Sequence, residues 1–238
     1  MVRRSISVAM TVLAALVGVT AAQAQTADEL IAKNIAAKGG AEALRAVQTI
    51  RQTAQMSIQG MTATMTTTAR RPDKVRQEVA INGQQVITAF DGTTAWTVNP
   101  LQGVTTPTAI ADPGTAQLLR DQANFDGPLL DYKTNGTKIE MVGTEAVGGK
   151  QAHHLKVTLK SGGVQDLYLD PATGLEMRLV LQTPNGPVVQ DISDYRKVNG
   201  LTVPFSISMT VGGMPAGTIT VTNMEFNPAI DDAIFRMK

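Results

Sequence analysis

Turn glycines recur through the second half of the chain at Gly136, Gly149, Gly162, Gly174, Gly186, Gly200 and Gly213, one every 12 to 14 residues. Four of them close hairpin-type dipeptides: Asn135-Gly136, Gly148-Gly149, Asn185-Gly186 and Asn199-Gly200. Glycine and asparagine accept the left-handed backbone that tight hairpins require. The first half is punctuated in the same way by Gly60, Pro72-Asp73, Asn82-Gly83 and Asp91-Gly92. Such spacing leaves room for one strand between turns and for little else. It predicts an antiparallel meander of about eleven strands. A solenoid would share the spacing, but its segments would also share residues, and these do not.

Between turns the side chains alternate. Leu155, Val157 and Leu159 interleave with Lys156, Thr158 and Lys160. Leu175, Met177, Leu179 and Leu181 interleave with Glu176, Arg178, Val180 and Gln182, and Val75, Gln77, Val79 and Ile81 with Arg76, Glu78 and Ala80. One apolar face and one wet face describe a sheet covered on a single side. At ~3.3 Å per residue, a nine-residue strand runs roughly 30 Å, so the apolar face is large.

Helices to cover that face are few. Thr26-Ala27-Asp28-Glu29 reads as a capping box, followed by Leu30, Ile31, Asn34 and Ile35 at helical spacing and stopped by Gly39-Gly40. Ala41–Val47 suggests a short second helix and Ala116–Ala123, with Leu118 and Leu119, a third. Sheets this wide curl, close or split. A closed barrel and a β-sandwich compete with an open, curved sheet. Helices grouped at the N-terminus and in one central insertion favour the open form. The expected fold is mainly β, a large antiparallel half-barrel, unclosed, with helices over its concave face. Leu30, Ile31, Ile35, Leu118 and Leu119 are the expected lid contacts.

Arg3 and Arg4 precede an apolar run from Ile6 to Ala22 that ends in Ala22-Gln23-Ala24. This is the pattern of a secretory signal peptide over residues 1–24, with cleavage expected after Ala24. The remainder, residues 25–238, suits one domain and is expected to be a monomer. It has no cysteine, so an exported chain of this kind rests on its apolar core without disulfides. The near balance of charge, +1 overall, offers no basic stripe for a nucleic-acid partner.

Aromatics are scarce, with one tryptophan, whereas there are 11 methionines. Methionine is flexible and polarizable and adapts to variable apolar guests. The apolar strand faces give a set of cavity-lining candidates: Met56, Ile58, Met65, Val79, Ile81, Phe90 and Trp96 from the first half. From the second half come Leu155, Val157, Leu179, Val203, Phe205, Ile207 and Met209. Catalytic and metal-binding signals are weak. His153 and His154 are the only histidines, and as strand neighbours they point to opposite faces. Asp170-Pro171-Ala172-Thr173-Gly174 begins like a calcium loop but lacks further ligands and reads as a hairpin turn. Asp231-Asp232 reads as a helix cap. No nucleophile–base pair stands out, and neither an enzyme nor a cofactor or metal is expected.

Two stretches resemble a known family. "RRPDKVRQEVAINGQQVITAFDGTTAWTVNP" (Arg70–Pro100) and "SDYRKVNGLTVPFSIS" (Ser193–Ser208) are similar to strand–turn–strand segments of the outer-membrane lipoprotein-sorting-like, or LolA-like, superfamily. The opening "DELIAKNIAAKGGAEALRAVQTIR" and the closing "NPAIDDAIFRM" fit the same pattern. The resemblance implies an unclosed barrel, a periplasmic location and a carrier of a lipid or of the acyl chain of a lipoprotein. Relatives that act as envelope sensors leave an alternative, a module that binds another protein of the inner or outer membrane.

Overall fold

The computed structural model describes residues 25–58, 60–183 and 186–238. The export segment expected over residues 1–24 and Asn185 of the expected Asn185-Gly186 turn lie outside the described residues.

Helix α1 (Ala27–Ala37) begins at the capping box: the Thr26 hydroxyl accepts from the Glu29 amide at 3.3 Å, and the Glu29 carboxylate accepts from the Thr26 amide at 2.9 Å. Gly39 follows with φ at 122°, and a Cβ there would lie 2.9 Å from the Gly200 carbonyl oxygen. Glycine therefore both ends α1 and lets the chain approach the Asn199-Gly200 turn. Helix α2 (Ala41–Ala46) leads into the sheet.

Among the described residues the sheet has thirteen strands in two meanders. The first contains β1 (Thr49–Ile58), β2 (Met61–Arg70), β3 (Lys74–Ile81), β4 (Gln84–Phe90), β5 (Ala95–Asn99) and β6 (Val104–Ala109). The second contains β7 (Lys138–Val147), β8 (Lys150–Thr158), β9 (Val164–Leu169), β10 (Glu176–Thr183), β11 (Gly186–Val198), β12 (Leu201–Val211) and β13 (Met214–Phe226). The spacing predicted about eleven; β5 and β6, of five and six residues, are too short to display an alternation. Strand order is β6-β5-β4-β3-β2-β1-β13-β12-β11-β10-β9-β8-β7, with β1 antiparallel to β13. The edges β6 and β7 do not meet, so the sheet is an unclosed half-barrel.

This order has a geometric consequence. The chain leaves one edge at Ala109 and must re-enter at the opposite edge at Lys138. The crossing carries α3 (Pro113–Ala123) and α4 (Tyr132–Asn135). Leu119, Ala116 and Ala123 of α3 pack on Ala69, Val75, Phe90 and Ala95. Leu30 and Ile31 of α1 pack on Leu155, Val157, Leu167 and Leu169, with Ile35 beside them. Register places these two patches on one face. Leu155, Leu167, Leu179, Gln190, Met209 and Gly217 form one row across β8 to β13. Ala54, Met65, Val79 and Val86 form another across β1 to β4. Helices thus cover the two ends of the apolar face and leave its middle less covered.

The opposite face has its own cover. Arg51, Thr68, Arg76, Ala89 and Trp96 stand in register there. The C-terminal segment folds over them, with Phe235 fully buried and its carbonyl accepting from the Trp96 indole at 2.8 Å. Asp231 caps the short 3-10 turn Asp232–Phe235 through the Ala233 amide. His154 also lies on this side, between Glu145 (2.7 Å) and Asp166 (3.0 Å) and stacked on Tyr168.

Pro204 sits inside β12 opposite Tyr195 of β11. The β12–β13 register begins only at Ser206. Proline, which has no amide to donate, therefore occupies a stretch where β12 has a neighbour on one side only.

Three contacts bind α1 to the β9–β10 turn. The Lys33 ammonium donates to the Pro171 carbonyl at 2.5 Å, the Asn34 amide to the Gly174 carbonyl at 2.8 Å, and Lys38 pairs with Glu176 at 2.9 Å. Asn34 is 1% exposed. Asn34→Ala leaves the Gly174 carbonyl without that partner, and a loss of about 1–3 kcal/mol is expected in denaturant unfolding.

Candidate functional site

The crossing between β6 and β7 is held over the sheet by charged contacts with the N-terminal helices. The Arg71 guanidinium forms a two-point ion pair with the Asp126 carboxylate, donates to the carbonyls of Leu44 (3.1 Å) and Val47 (2.6 Å), and lies 5.0 Å from the centre of the Phe125 ring. Arg45 pairs with Asp131, and Asp28 accepts from both Lys133 and Tyr132. Arg71 sits where β2 turns into β3, so one side chain ties sheet, α2 and crossing together. Its role was not visible in the sequence because its partners lie 24 to 55 residues away.

Under this roof lies a cavity of about 670 Å³. Its apolar walls are Met56, Met65, Val79, Leu179, Leu181, Met209 and Ile219 from the sheet and Leu118 from α3. Not one of the seven sheet residues is fully buried in the protein alone. Elsewhere on the same face, Ala54, Ala63 and Leu155 are closed off, at 0 to 3% exposure. The cavity walls are therefore apolar surface that the fold leaves open. The Met56–Ile219 pairing brings β1 against β13 at its floor. Gly217, next to it, has φ at 145°, and a Cβ there would lie 2.5 Å from the Ser57 carbonyl oxygen. Only glycine permits that close approach of strands.

Of the fourteen residues expected along the apolar face, Met56, Met65, Val79, Leu179 and Met209 converge on this cavity. Ile207 stands in register with the lining residue Ile219, while Ile58 and Ile81 lie at strand ends beside hairpin turns. Phe90, Leu155 and Val157 belong to the closed core beneath α3 and α1. Val203 and Phe205 fall on the part of β12 that β13 does not accompany, and the Arg196 guanidinium covers the Phe205 ring at 4.4 Å. Trp96 requires correction: Phe90 pairs with Ala95, so Trp96 is on the other face, 2% exposed beneath the C-terminal segment. Of the expected lid residues, Leu30, Ile31, Ile35 and Leu119 pack into the core and Leu118 faces the cavity.

Several lining residues are not among the cavity-lining candidates that the sequence offers. Leu181 and Ile219 carry the alternation that marks their neighbours and could have been found by it. Gln77 shares the alternating row of Val75 and Val79, whereas Gln165 and Gln190 interrupt apolar rows, and Arg120, Asp121, Lys160 and Ser161 come from a helix and a turn.

An unclosed sheet with helices over a concave apolar cavity is a half-barrel of the LolA-like fold. A LolA superfamily protein from Nitrosomonas europaea superposes with a TM-score of 0.59 at 12% identity, over 90% of this chain and 98% of that one. A DUF1329 family protein from Desulfovibrio piger gives 0.56 at 15% identity, over 82% and 92%. A domain from Vibrio parahaemolyticus, described as an outer membrane lipoprotein-sorting protein domain, gives 0.55 at 11% identity, over 87% and 94%. The family model described as "Predicted periplasmic protein (DUF2092)" matches residues 46–187, more than half of the chain. The chain belongs to this family and is a periplasmic protein. No curated protein matches it.

Proposed function

We propose that the protein is a periplasmic binding or carrier protein that takes the acyl chain of a lipid or acylated ligand into the cavity under α3. The observation that carries this reading is the half-buried state of the apolar wall. Met56, Met65, Leu179, Met209 and Ile219 converge on one space, and the protein's own side chains do not fill it. Each methylene moved from water onto such a wall contributes about 0.8 kcal/mol, so a chain is held without specific polar contacts. The volume of about 670 Å³ falls within the roughly 300–1,000 Å³ of pockets that enclose a small ligand. Three methionines on the wall suit guests of varied shape. The fold shared with a lipoprotein-sorting domain supports an acylated ligand as the class.

Titration of the protein with a fluorescent fatty-acyl probe tests the proposal. Saturable binding of one probe per protein, displaced by unlabelled long-chain lipid, is expected. Absence of saturable binding to the folded protein would remove the proposal.

A further inference from the structure

The charged groups of the cavity are grouped at one rim. The C-terminal half of α3 brings Arg120 and Asp121, and the β8–β9 turn brings Lys160 and Ser161. The methionine-lined floor lies on the strands below.

The charges at this rim are not balanced internally. Both oxygens of Asp121 are engaged: Oδ1 accepts from Gln117 at 3.0 Å and Oδ2 from the Ser161 hydroxyl at 3.0 Å. That carboxylate ties α3 to the turn and keeps its charge, so the two cations Arg120 and Lys160 exceed it at the rim. Arg120 and Lys160 have no carboxylate partner among the described residues. The Arg120 guanidinium stands 5.6 Å from the centre of the Phe90 ring, which braces it beside the opening. The Lys160 stem is packed too: a Cβ on Gly136 would meet its methylenes at 3.3 Å. Two cations without a carboxylate partner, Arg120 braced through its guanidinium and Lys160 through its stem, stand at the mouth of an apolar cavity and complement an amphiphile whose head carries negative charge.

Below the rim a second polar feature points the same way. Gln190 stands in register between Leu179 and Met209, and Gln165 faces Leu181 across β9 and β10. Both amides line the cavity and are partly exposed in the unliganded protein. In the unliganded protein such an amide faces cavity water, which a guest with a hydrogen-bonding linkage can replace. The two amides lie where the polar linkage of an acyl guest would pass from rim to floor.

Resting on the acyl-binding reading, we infer that the cavity selects an anionic amphiphile, whose carboxylate or phosphate head sits between Arg120 and Lys160 and whose chain lies along the methionine-lined floor. The test uses single-chain ligands of equal chain length competing with a neutral apolar fluorophore: palmitate, hexadecyl phosphate, hexadecanol and hexadecyltrimethylammonium. The two anions are expected to bind about tenfold more tightly than the alcohol, and the cation more weakly than the alcohol. Which of palmitate and hexadecyl phosphate binds more tightly distinguishes a carboxylate from a phosphate head. In the exposed-site double variant Arg120→Gln/Lys160→Gln the ratio of anion to alcohol affinity is expected to fall toward one, and high salt should lower the same ratio in the native protein. Equal affinities for anion and alcohol, or a ratio unchanged in the double variant, would overturn the selection while leaving acyl binding in place. Failure of all four ligands to bind would remove the acyl-binding reading and this inference with it.

Discussion

Met209→Asp is expected to weaken acyl-probe binding by more than about a hundredfold while the protein remains folded. An ionised carboxylate desolvated against a hydrocarbon chain costs several kcal/mol, and about 1.4 kcal/mol is a factor of ten in affinity. Met209 is half-buried on the cavity floor, paired with Gln190 on one side and Gly217 on the other. In the unliganded protein the new carboxylate therefore reaches cavity water, and the fold is not asked to enclose a charge. Phe205, on the same strand, makes a poor substitute for this experiment. It is 7% exposed beneath Arg196, so aspartate there would unfold the protein and report nothing about binding. Met209→Leu, nearly equal in volume, is expected to retain binding. A Met209→Asp protein with a native circular dichroism spectrum and unchanged probe affinity would place the ligand elsewhere.

Lys38→Met is expected to remove about 3 kcal/mol of stability. Lys38 caps the end of α1 and pairs at 2.9 Å with Glu176, whose side chain is 11% exposed. Tyr195 also donates to Glu176, at 3.0 Å. Burial by itself pushes the Glu176 carboxyl up; the Lys38 charge and hydrogen bonds from Lys38, from its own backbone and from Tyr195 outweigh it, and its pKa lies below the ordinary value. Breaking one side of a buried pair costs about 3–5 kcal/mol, and the partial exposure of Lys38, 26% of its side chain, puts this case at the low end. A carboxyl depressed in the folded state stabilises it above the unfolded pKa, and that stability is lost as pH falls through the folded value. The gap between native protein and Lys38→Met should therefore be widest near neutrality and narrow in acid. Lys38→Met/Glu176→Gln should recover much of the loss, since no buried charge remains. Urea unfolding of the three proteins at neutral and acidic pH reads all of this, and a gap independent of pH would contradict it.

Much of the fold was legible because turns and alternation are local. Gly162, Gly174 and Gly200 mark real hairpins, and Thr26 and Glu29 cap the first helix as their spacing requires. The half-barrel followed from the small number of helices available for so large an apolar face. The closed and open parts of that face were not separable in advance. Leu155 and Leu179 stand in the same row and look alike in sequence, yet Leu155 lies under α1 and Leu179 lines the cavity. What separates them is the path of the crossing between the sheet edges, fixed by ion pairs such as Arg71–Asp126 between residues 55 apart. Trp96 shows the opposite difficulty. Its strand is only five residues long, and the C-terminal segment that covers it lies 139 residues away. The rim cations Arg120 and Lys160 belong to a helix and a turn, where periodicity carries no information about a shared site.

Native mass spectrometry of the protein released from its own periplasm, without detergent, tests the central claim most directly. The account predicts a fraction carrying an adduct of lipid mass, one per protein and extractable into organic solvent, and its absence from Met209→Asp purified in the same way. A ligand-free spectrum, together with no uptake of acyl probe by the folded protein, would contradict it.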